Sequence, residues 1–293
     1  MAHKAGFVSI IGKPNVGKST LSNKLVGERL SVVTPKASTT RHRIFGIINT
    51  DEYQIVFSDT PGIIEPAYKL HEGMMDIVND SVNDADVILF VADVADEGPE
   101  PHHLEKLKQA KCPVILVLNK MDLSNQKEVS DSIEKWKDII PFSEILPISA
   151  ISGFNVDGLL KLMLQFIPEH EPYYPKDQLT DRPERFFITE IIRGVIFDLY
   201  DKEIPYSTEV VIIAYEEGVK LDKIYANIIV ERQSQKGIVI GKLGEGIKRI
   251  GTTARKDIEL FLQKKVFLDL KVKVEENWRK DDRKLQKFGY INK

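Results

Sequence analysis

The segment at residues 12–19 constrains the fold of this 293-residue chain more than any other part of its sequence. It reads GKPNVGKS, follows the apolar run at residues 7–11 and precedes the helical pattern at residues 21–25. The glycines let the backbone curl so that several N–H groups point inward, and the following helix adds the positive end of its dipole. This pattern between a strand and a helix predicts a phosphate-binding loop.

Short apolar runs elsewhere in the first half of the chain predict a sheet around this loop. Runs rich in Val, Ile and Leu at residues 55–57, 87–91, 114–118 and 145–148 are typical of strands buried on both faces. Helical patterns separate several of these runs, and a repeated β-then-α order predicts an α/β domain with a mostly parallel sheet. We assign this domain to residues 1–170.

Three short motifs each follow one of the predicted strands: DTPG at residues 59–62, NKMD at 119–122 and SA at 149–150. The carboxyl ends of parallel strands meet at one edge, where open α/β sheets bind ligands. The carboxylate of Asp122 can accept the N1–H and exocyclic amino hydrogens of guanine, which adenine does not offer. The motifs therefore favour a GTPase over an ATPase.

The motif residues take individual roles in this prediction. Asn119 is expected to tie the base-binding loop to the phosphate loop, and the aliphatic stem of Lys120 to lie along the base. The Ala150 N–H is expected to reach the guanine carbonyl oxygen. The residues predicted to bind GTP are Gly12, Asn15, Val16, Gly17, Lys18, Ser19, Thr20, Asp59, Thr60, Pro61, Gly62, Asn119, Lys120, Asp122, Ser149 and Ala150.

Catalysis is assigned to groups that would surround the γ-phosphate. Lys18 is expected to reach the β- and γ-phosphates, and the Gly62 N–H to approach the γ-phosphate. A switch threonine, Thr40 with Thr39 as the alternative, is expected to order its loop only with the triphosphate. Lys18, Thr40 and Gly62 thus form the predicted catalytic set. The residues predicted to hold Mg²⁺ are Ser19, Thr40 and Asp59.

The residue after Gly62 is Ile63, where many GTPases have a glutamine that orients water. Isoleucine cannot orient water, so intrinsic hydrolysis is expected to be slow. Asn15 and the backbone of residues 29–40 could together hold a monovalent cation where an arginine finger would lie. K⁺ is therefore a candidate cofactor beside GTP and Mg²⁺.

The last third of the chain differs in charge and in pattern. Residues 185–293 contain 22 Lys and Arg against 17 Asp and Glu, although the whole chain has a net charge of −3. A helix at 185–200, strands at 210–215 and 225–232, a helix after residue 244 and a final strand predict the order α-β-β-α-β. This order indicates a small α+β domain at residues 185–293. Residues 171–184 are rich in proline and are predicted to be a linker.

The sequence GKLG at residues 241–244 fits the GXXG loop of a KH domain, which clamps about four nucleotides of single-stranded RNA. It precedes an amphipathic helix in the most basic part of the chain, and Lys and Arg there are suited to phosphate contacts. Leu243 stands where a basic or polar residue is expected, so packing on a base is its alternative role. The residues predicted to bind RNA are Gly241, Lys242, Leu243, Gly244, Lys248, Arg249, Arg255 and Lys256.

Together, the motifs GKPNVGKS, STTRHR, DTPG, NKMD and SA, with the later VIGKLGEGIKRIG, resemble the Era GTPases over nearly the whole chain. The resemblance implies an α/β P-loop GTPase domain followed by a small α+β KH domain of type II. It also implies binding to the 3′ end of 16S ribosomal RNA in the small subunit, and a role in maturing that subunit. Peripheral membrane contact is implied in some cases, and no DNA partner is expected.

A second function class remains open at this point, namely a regulatory GTPase whose KH-like domain binds a protein or a membrane instead of RNA. The cysteine count excludes two kinds of stabilising site. Because Cys112 is the single cysteine, neither an intramolecular disulfide nor a zinc cluster built on cysteines can form. No run approaches the roughly 18 apolar residues of a membrane-spanning helix. We expect a cytoplasmic protein, and no metal site at His102 and His103, which lack a third ligand.

Overall fold

The structure is a computed structural model that describes residues 3–96, 98, 107–108 and 110–291. The chain divides into two compact units. Unit 1 comprises Met1–Pro66 and His71–Asp181, and unit 2 comprises Ala67–Leu70 and Arg182–Lys293. The pair His102 and His103 lies outside the described residues.

Unit 1 is built on a six-stranded sheet with the order β2-β3-β1-β4-β5-β6. Strands β1, β3, β4, β5 and β6 all run parallel to one another. The edge strand β2 runs antiparallel to its neighbour β3. Apolar side chains fill both faces of the central strands, as the near-continuous hydrophobic runs predict. The strands are β1 (Lys4–Ile11), β2 (Ile44–Asn49), β3 (Tyr53–Asp59), β4 (Val87–Asp93), β5 (Val114–Asn119) and β6 (Glu144–Pro147).

Helices cover both faces of this sheet. The helices α1 (Lys18–Val26) and α4 (Val156–Phe166) contribute Leu21, Leu159 and Met163 to one apolar core. On the other face, α2 (Lys69–Asn83) and α3 (Gln126–Lys137) contribute Val78, Val129 and Trp136. The predicted α/β domain with a mostly parallel sheet is confirmed.

The sequence analysis assigned no strand between residues 30 and 50, where the structure has β2. This strand lies at the sheet edge, and its sequence IFGIIN is interrupted by Gly46. A Cβ atom at Gly46 would lie 2.6 Å from Cγ2 of Val26, so α1 packs too close for a side chain there. Gly46 is therefore needed for helix packing. In the sequence, however, it interrupts the run of β-branched residues that would otherwise predict a strand.

The proline-rich segment before residue 182 lies along unit 1. The side-chain amide of Gln54 accepts from the Tyr173 N–H at 2.7 Å and donates to the Tyr174 carbonyl at 2.8 Å. Further along, the Ile47 N–H donates to the Leu179 carbonyl at 2.8 Å. These contacts concern only part of the predicted linker, and the domain limits stay predictions.

Unit 2 has a three-stranded sheet, β7-β8-β9, in which β7 and β8 are antiparallel and β8 and β9 are parallel. Helices pack against one face of this sheet around a single apolar core. The elements are α5 (Glu184–Leu199), α6 (Ile204–Ser207), β7 (Glu209–Glu216), β8 (Leu221–Val230), α7 (Gln233–Ile240), α8 (Glu245–Leu262), β9 (Lys265–Val274) and α9 (Asp282–Lys287).

The expected order α-β-β-α-β was incomplete, because two helices, α7 and α8, lie between β8 and β9. Helix α7 has only eight residues, of which Gln235 and Val239 are buried, too few for a clear apolar period. The α+β class of this unit is confirmed. Among the described residues, none of the helices has the length and apolar character that crossing a bilayer requires.

Candidate functional site

The loop between β1 and α1 has the close backbone approaches that its glycines predict. Gly12 has φ +148° and Gly17 has φ +98°, conformations that L side chains rarely adopt. A Cβ atom at Gly12 would lie 2.1 Å from the Val91 carbonyl oxygen, and one at Gly17 would lie 2.2 Å from Nδ2 of Asn119. Because α1 begins at Lys18, its first N–H groups lack helical partners and are available to an anion.

Lys18 is buried beneath this loop, and its ammonium donates to the Lys13 carbonyl at 2.8 Å. Burial lowers the pKa of Lys18 to about 8, with the nearby Asp59 carboxylate acting in the opposite direction. At neutral pH the ammonium form therefore predominates, and it is held on a backbone carbonyl that an oxyanion could replace.

Two threonines were alternatives for the switch position, and the structure gives their hydroxyls different neighbours. Thr40 Oγ1 is 2.9 Å from the Ser19 Oγ. Thr39 Oγ1 instead lies 2.7 Å from Thr34 Oγ1 and donates to the Lys36 carbonyl at 2.8 Å, within its own loop. The geometry favours Thr40.

Asp59, at the end of β3, is fully buried. Neither carboxylate oxygen completes a hydrogen bond, although the hydroxyls of Ser31 and Ser19 lie close. Burial raises the pKa of Asp59, against the opposing effects of those hydroxyls, the Lys18 ammonium and the Thr60 N–H. A buried carboxylate without partners is costly, which is the condition expected of a group that serves a ligand.

The residues present fit Mg²⁺. Ser19, Thr40 and Asp59 bring two hydroxyls and one orphaned carboxylate together, and oxygen ligands of this kind are those that Mg²⁺ prefers. Magnesium commonly keeps several waters and uses few protein ligands, so a small set beside a phosphate loop is sufficient.

The DTPG motif packs directly against the phosphate loop. The Thr60 hydroxyl donates to the Ile10 carbonyl at 2.8 Å, and Pro61 is buried beside it. A Cβ atom at Gly62 would lie 2.7 Å from Cγ of Pro14, so only glycine fits there. Ile63 packs its side chain on the core, away from any role in orienting water.

The remaining motifs are interlocked through Asn119. Its Nδ2 donates to the Val16 carbonyl at 2.8 Å, and its Oδ1 accepts from the Ala150 N–H at 2.9 Å. The Ser149 hydroxyl donates to Oδ1 of Asp122 at 2.6 Å. One buried amide thus joins the phosphate loop to the loop after β6, and a serine orients the carboxylate expected to read the base.

Lys120 adopts a left-handed conformation with φ +70°, and its ammonium lies 2.7 Å from the Asp93 carboxylate. This pair holds the residue between the base-binding motif and the end of β4.

A cavity of about 380 Å³ opens among these loops. Of the predicted GTP-binding residues, those that line it are Asn15, Gly17, Lys18, Ser19, Thr20, Thr60, Gly62, Asn119, Lys120 and Asp122. Thr40 lines it too, whereas Gly12, Val16, Asp59, Pro61, Ser149 and Ala150 are not among its lining residues. Lining residues absent from the predicted GTP-binding set are Pro14, Val32, Val33, Thr34, Pro35, Lys36, Ser38, Thr39 and Ile151.

The loop at residues 32–39 therefore covers more of this cavity than one threonine suggested. Only the position of this loop after α1 could have indicated that it lines the cavity, because most of its residues belong to no motif and show no hydrophobic period. Asn15 contacts this loop directly, with its Nδ2 donating to the Pro35 carbonyl at 3.1 Å.

In unit 2, the GXXG segment forms a tight turn between α7 and α8. Gly241 and Gly244 have φ +74° and +81°, and a Cβ atom at Gly241 would lie 2.7 Å from the Gly246 nitrogen. Leu243 also has a positive φ, 52°, and 94% of its surface is exposed. A leucine held in this strained, solvated position is available to an external apolar group.

A second cavity, of about 320 Å³, lies between α8 and β9. Lys248 and Arg255 of the predicted RNA-binding set line it, while Lys242, Leu243, Arg249 and Lys256 do not. Its lining residues are Ile247, Lys248, Gly251, Thr252, Arg255, Leu268 and Leu270. The apolar members were missed because the alternating pattern of β9 and the period of α8 were assigned only to the core.

Two of the predicted basic residues already have partners within unit 2. Arg249 Nη2 donates to the Leu199 carbonyl at 3.3 Å, and Arg255 Nη1 lies 2.9 Å from the Glu259 carboxylate. The Arg255 side chain is 39% exposed, whereas Glu259 is only 15% exposed and also accepts from the Val266 N–H at 3.1 Å.

Comparison with known proteins agrees with this geometry. Residues 7–120 match the family described as 50S ribosome-binding GTPase, and residues 203–279 match the KH domain. GTPase Era of Clostridium kluyveri is 45% identical over 290 residues, which cover 98% of this chain and 99% of the relative. This chain belongs to the Era family of GTPases. It is therefore an enzyme that hydrolyses GTP.

Solved Era structures extend this match to the whole architecture. A crystal structure of Era in complex with MgGDPNP and nucleotides 1506–1542 of 16S ribosomal RNA has a TM-score of 0.94 and 42% identity. A substituted Aquifex aeolicus Era bound to GDP·AlF4⁻ gives the same two values. Both matches cover 99% of this chain and 100% of the Era chain. The expected GTPase domain followed by a KH domain is confirmed.

Replacing Asn119 with alanine should weaken GDP binding by about 100-fold or more, because two buried hydrogen bonds that join the loops are lost. Titration with a fluorescent GDP analogue measures this. Asn49→Ala is the matched control: Asn49 also bonds through its amide, to the Gln178 carbonyl, and should leave GDP affinity within about twofold. If Asn119→Ala lost threefold or less in GDP affinity, the two hydrogen bonds of Asn119 would not have the expected role in holding the loops.

Proposed function

We propose that this chain is a Mg²⁺-dependent GTP-hydrolysing switch that binds the 3′ end of 16S ribosomal RNA through its KH domain and acts in maturation of the small ribosomal subunit. The observation that carries the RNA part is the glycine turn beside a groove with apolar and basic sides. The Era structure containing nucleotides 1506–1542 supports the choice of RNA. We take residues 1–170 and 185–293 as the two domains and 171–184 as the linker.

In this proposal, the loop at residues 12–17 and the first turn of α1 bind the phosphates. Lys18 transfers its hydrogen bond from the Lys13 carbonyl to the β- and γ-phosphates. Asp122, oriented by Ser149, accepts the two hydrogen-bond donors of guanine, and the Ala150 N–H donates to its carbonyl oxygen.

Ser19, Thr40 and Asp59 would hold Mg²⁺, which when bound neutralises charge on the β- and γ-phosphates. The Gly62 N–H and the Lys18 ammonium stabilise charge on the γ-phosphate oxygens as the bond breaks. The adjacent Ile63 has no group that can orient water, so intrinsic turnover is slow. Residues 29–45 and 59–80 are the segments that GTP would order.

Asp122→Asn should exchange the base preference of the enzyme. The new amide can donate to the second carbonyl oxygen of xanthine, but with a single acceptor oxygen it cannot accept both the N1–H and the amino hydrogens of guanine. GTP affinity should fall about 100-fold or more, and xanthosine triphosphate should become the better ligand. Competition binding measures both values, with Asp138→Asn as a surface control. Unchanged GTP preference would remove Asp122 from the guanine site.

We also propose K⁺ as a cofactor. It would be held by the side-chain carbonyl oxygen of Asn15 and by backbone carbonyls of residues 29–40. The support is that Asn15 already contacts this loop at Pro35. A cation there would lie beside the phosphates and stabilise developing negative charge.

Hydrolysis in K⁺ should exceed hydrolysis in Na⁺ by about tenfold or more at equal ionic strength. Asn15→Ala should lose this preference while it still binds GDP. Phosphate release assays in the two salts give the comparison, and equal rates in the unaltered enzyme would end the K⁺ proposal.

RNA would enter the groove between α8 and β9, with its phosphates on the GXXG turn. The positive φ values at Gly241 and Gly244 allow backbone N–H groups to approach phosphates closely. Lys242, Lys248, Arg255 and the neighbouring Arg249 and Lys256 supply positive charge. The exposed Leu243 is suited to contact with a base.

Changing both Gly241 and Gly244 to Asp should abolish binding of a single-stranded RNA from the 3′ end of 16S RNA, because each substitution adds strain and negative charge. Affinity of the unaltered protein should fall with salt, with a log–log slope of about −0.7 per phosphate contacted. Binding should be tighter with a non-hydrolysable GTP analogue than with GDP.

Gly27→Asp is the matched control, since Gly27 also has a positive φ, +83°, and open space around it, but lies in unit 1. A scrambled RNA bound equally well would refute the RNA proposal. The regulatory alternative, a KH domain that binds a protein or a membrane, would then take its place.

We place the protein in the cytoplasm, with peripheral contact at the cytoplasmic face of the cell membrane as a secondary proposal. Support for the first comes from the single cysteine and from the family. Support for the second is the excess of Lys and Arg in residues 236–293, which suits anionic lipid as well as RNA.

A further inference from the structure

The face of the three-stranded sheet that points away from the apolar core carries exposed aromatic rings. Along β9, Val266 and Val272 are buried in the core of unit 2, so Phe267 on the alternate side belongs to the opposite face. Phe267 is 47% exposed. The ring of Tyr225, on the same face of β8, lies edge-on to it with centroids 6.0 Å apart.

Lysines surround these rings. In the β8–β9 register, Lys223 is paired with Phe267 and Tyr225 with Asp269, so all four share the face. The side chains of Lys265 and Lys271 are 77% and 72% exposed. We call the following set the aromatic face: Lys223, Tyr225, Lys265, Phe267, Lys271 and Lys273.

Acidic residues only partly balance this charge. The pairs Lys223–Glu216 and Lys271–Asp269 have N–O distances of 3.7 and 3.9 Å, and Lys265 lies 3.3 Å from Glu259. The first two pairs are exposed at both ends, and such pairs contribute little energy and exchange readily for another anion. Aromatic rings among lysines suit a ligand with flat bases and phosphates.

The aromatic face is also continuous with the proposed RNA groove. β9 is an edge strand of its sheet. Leu268 and Leu270 line the groove on one side of β9, and Phe267 precedes Leu268 on the other side. Consecutive strand residues are about 3.3 Å apart, so an RNA strand that leaves the groove needs only to pass over this edge.

We propose that the aromatic face binds single-stranded RNA that continues from the groove, by stacking of bases on Phe267 and Tyr225 and attraction of phosphates to the lysines. This inference rests on the proposed RNA-binding function. The groove holds about four nucleotides, and aromatic residues on a sheet surface stack two or three more. The complete site therefore spans about six or seven nucleotides.

The test compares RNA length in the full-length protein. The probes are a four-nucleotide RNA that fills the groove and eight-nucleotide RNAs extended at its 5′ or 3′ end, all from within nucleotides 1506–1542. For the unaltered protein, one of the longer RNAs should bind about tenfold or more tightly than the short one. Phe267→Ala should lose this gain and keep its affinity for the short RNA.

Two further variants separate stacking from other effects. Phe267→Tyr keeps an aromatic ring and should retain the gain with length. Leu260→Ala, in which a still more exposed apolar residue of α8 is shortened, should also retain it, since Leu260 is 70% exposed and lies outside the aromatic face. A 2-aminopurine base in the extension should be quenched on binding, except in Phe267→Ala.

The outcomes distinguish failure of the proposed RNA-binding function from failure of the aromatic face as an RNA site. If the unaltered protein binds its RNAs no better than scrambled ones, the proposed RNA function fails and this inference fails with it. If binding is specific but Phe267→Ala keeps the full gain with length, the groove stands and the aromatic face is refuted as an RNA site. Loss of sedimentation with anionic vesicles in that same variant would assign the face to a membrane instead.

Discussion

The nucleotide site depends on one buried side chain, the amide of Asn119. It donates to the Val16 carbonyl and accepts from the Ala150 N–H, so loops that follow β1, β5 and β6 are joined at a single point. Gly17 approaches this amide so closely that a Cβ atom there would lie 2.2 Å away. The glycines of the phosphate loop are therefore required by packing as well as by phosphate access.

Around this point, the apolar sheet has a polar cluster at one edge. The buried Lys18 and Asp59 are stabilised incompletely by the protein, as the lowered pKa of the lysine and the raised pKa of the carboxyl show. Burial of a charge without a full set of partners is unfavourable unless a ligand completes the set. A phosphate beside Lys18 and a cation beside Asp59 would complete the set, so the same burial that is costly for these two charges favours binding of such a ligand.

Unit 2 uses its small sheet in a different way. One face of the sheet is buried by helices, and the edge strand β9 borders the groove beside α8, so Leu268 and Leu270 both pack on the core and line the groove. The turn at Gly241 and Gly244 immediately precedes α8, the helix that forms one side of that groove. Because side chains alternate along a strand, β9 presents apolar residues to the groove on one side and the aromatic face on the other, within a few ångströms.

The sequence by itself determined where most strands of unit 1 lie along the chain, the glycine loops and the identity of the polar motif residues, because each depends on local backbone needs or on fixed spacing. It could not decide between Thr39 and Thr40, and it missed β2 and α7. Only the tertiary structure places Thr40 beside Ser19 and brings residues from α8 and β9 around one groove. The reason is physical: contacts between residues distant in the chain depend on strand order and on packing distances, which no local pattern encodes.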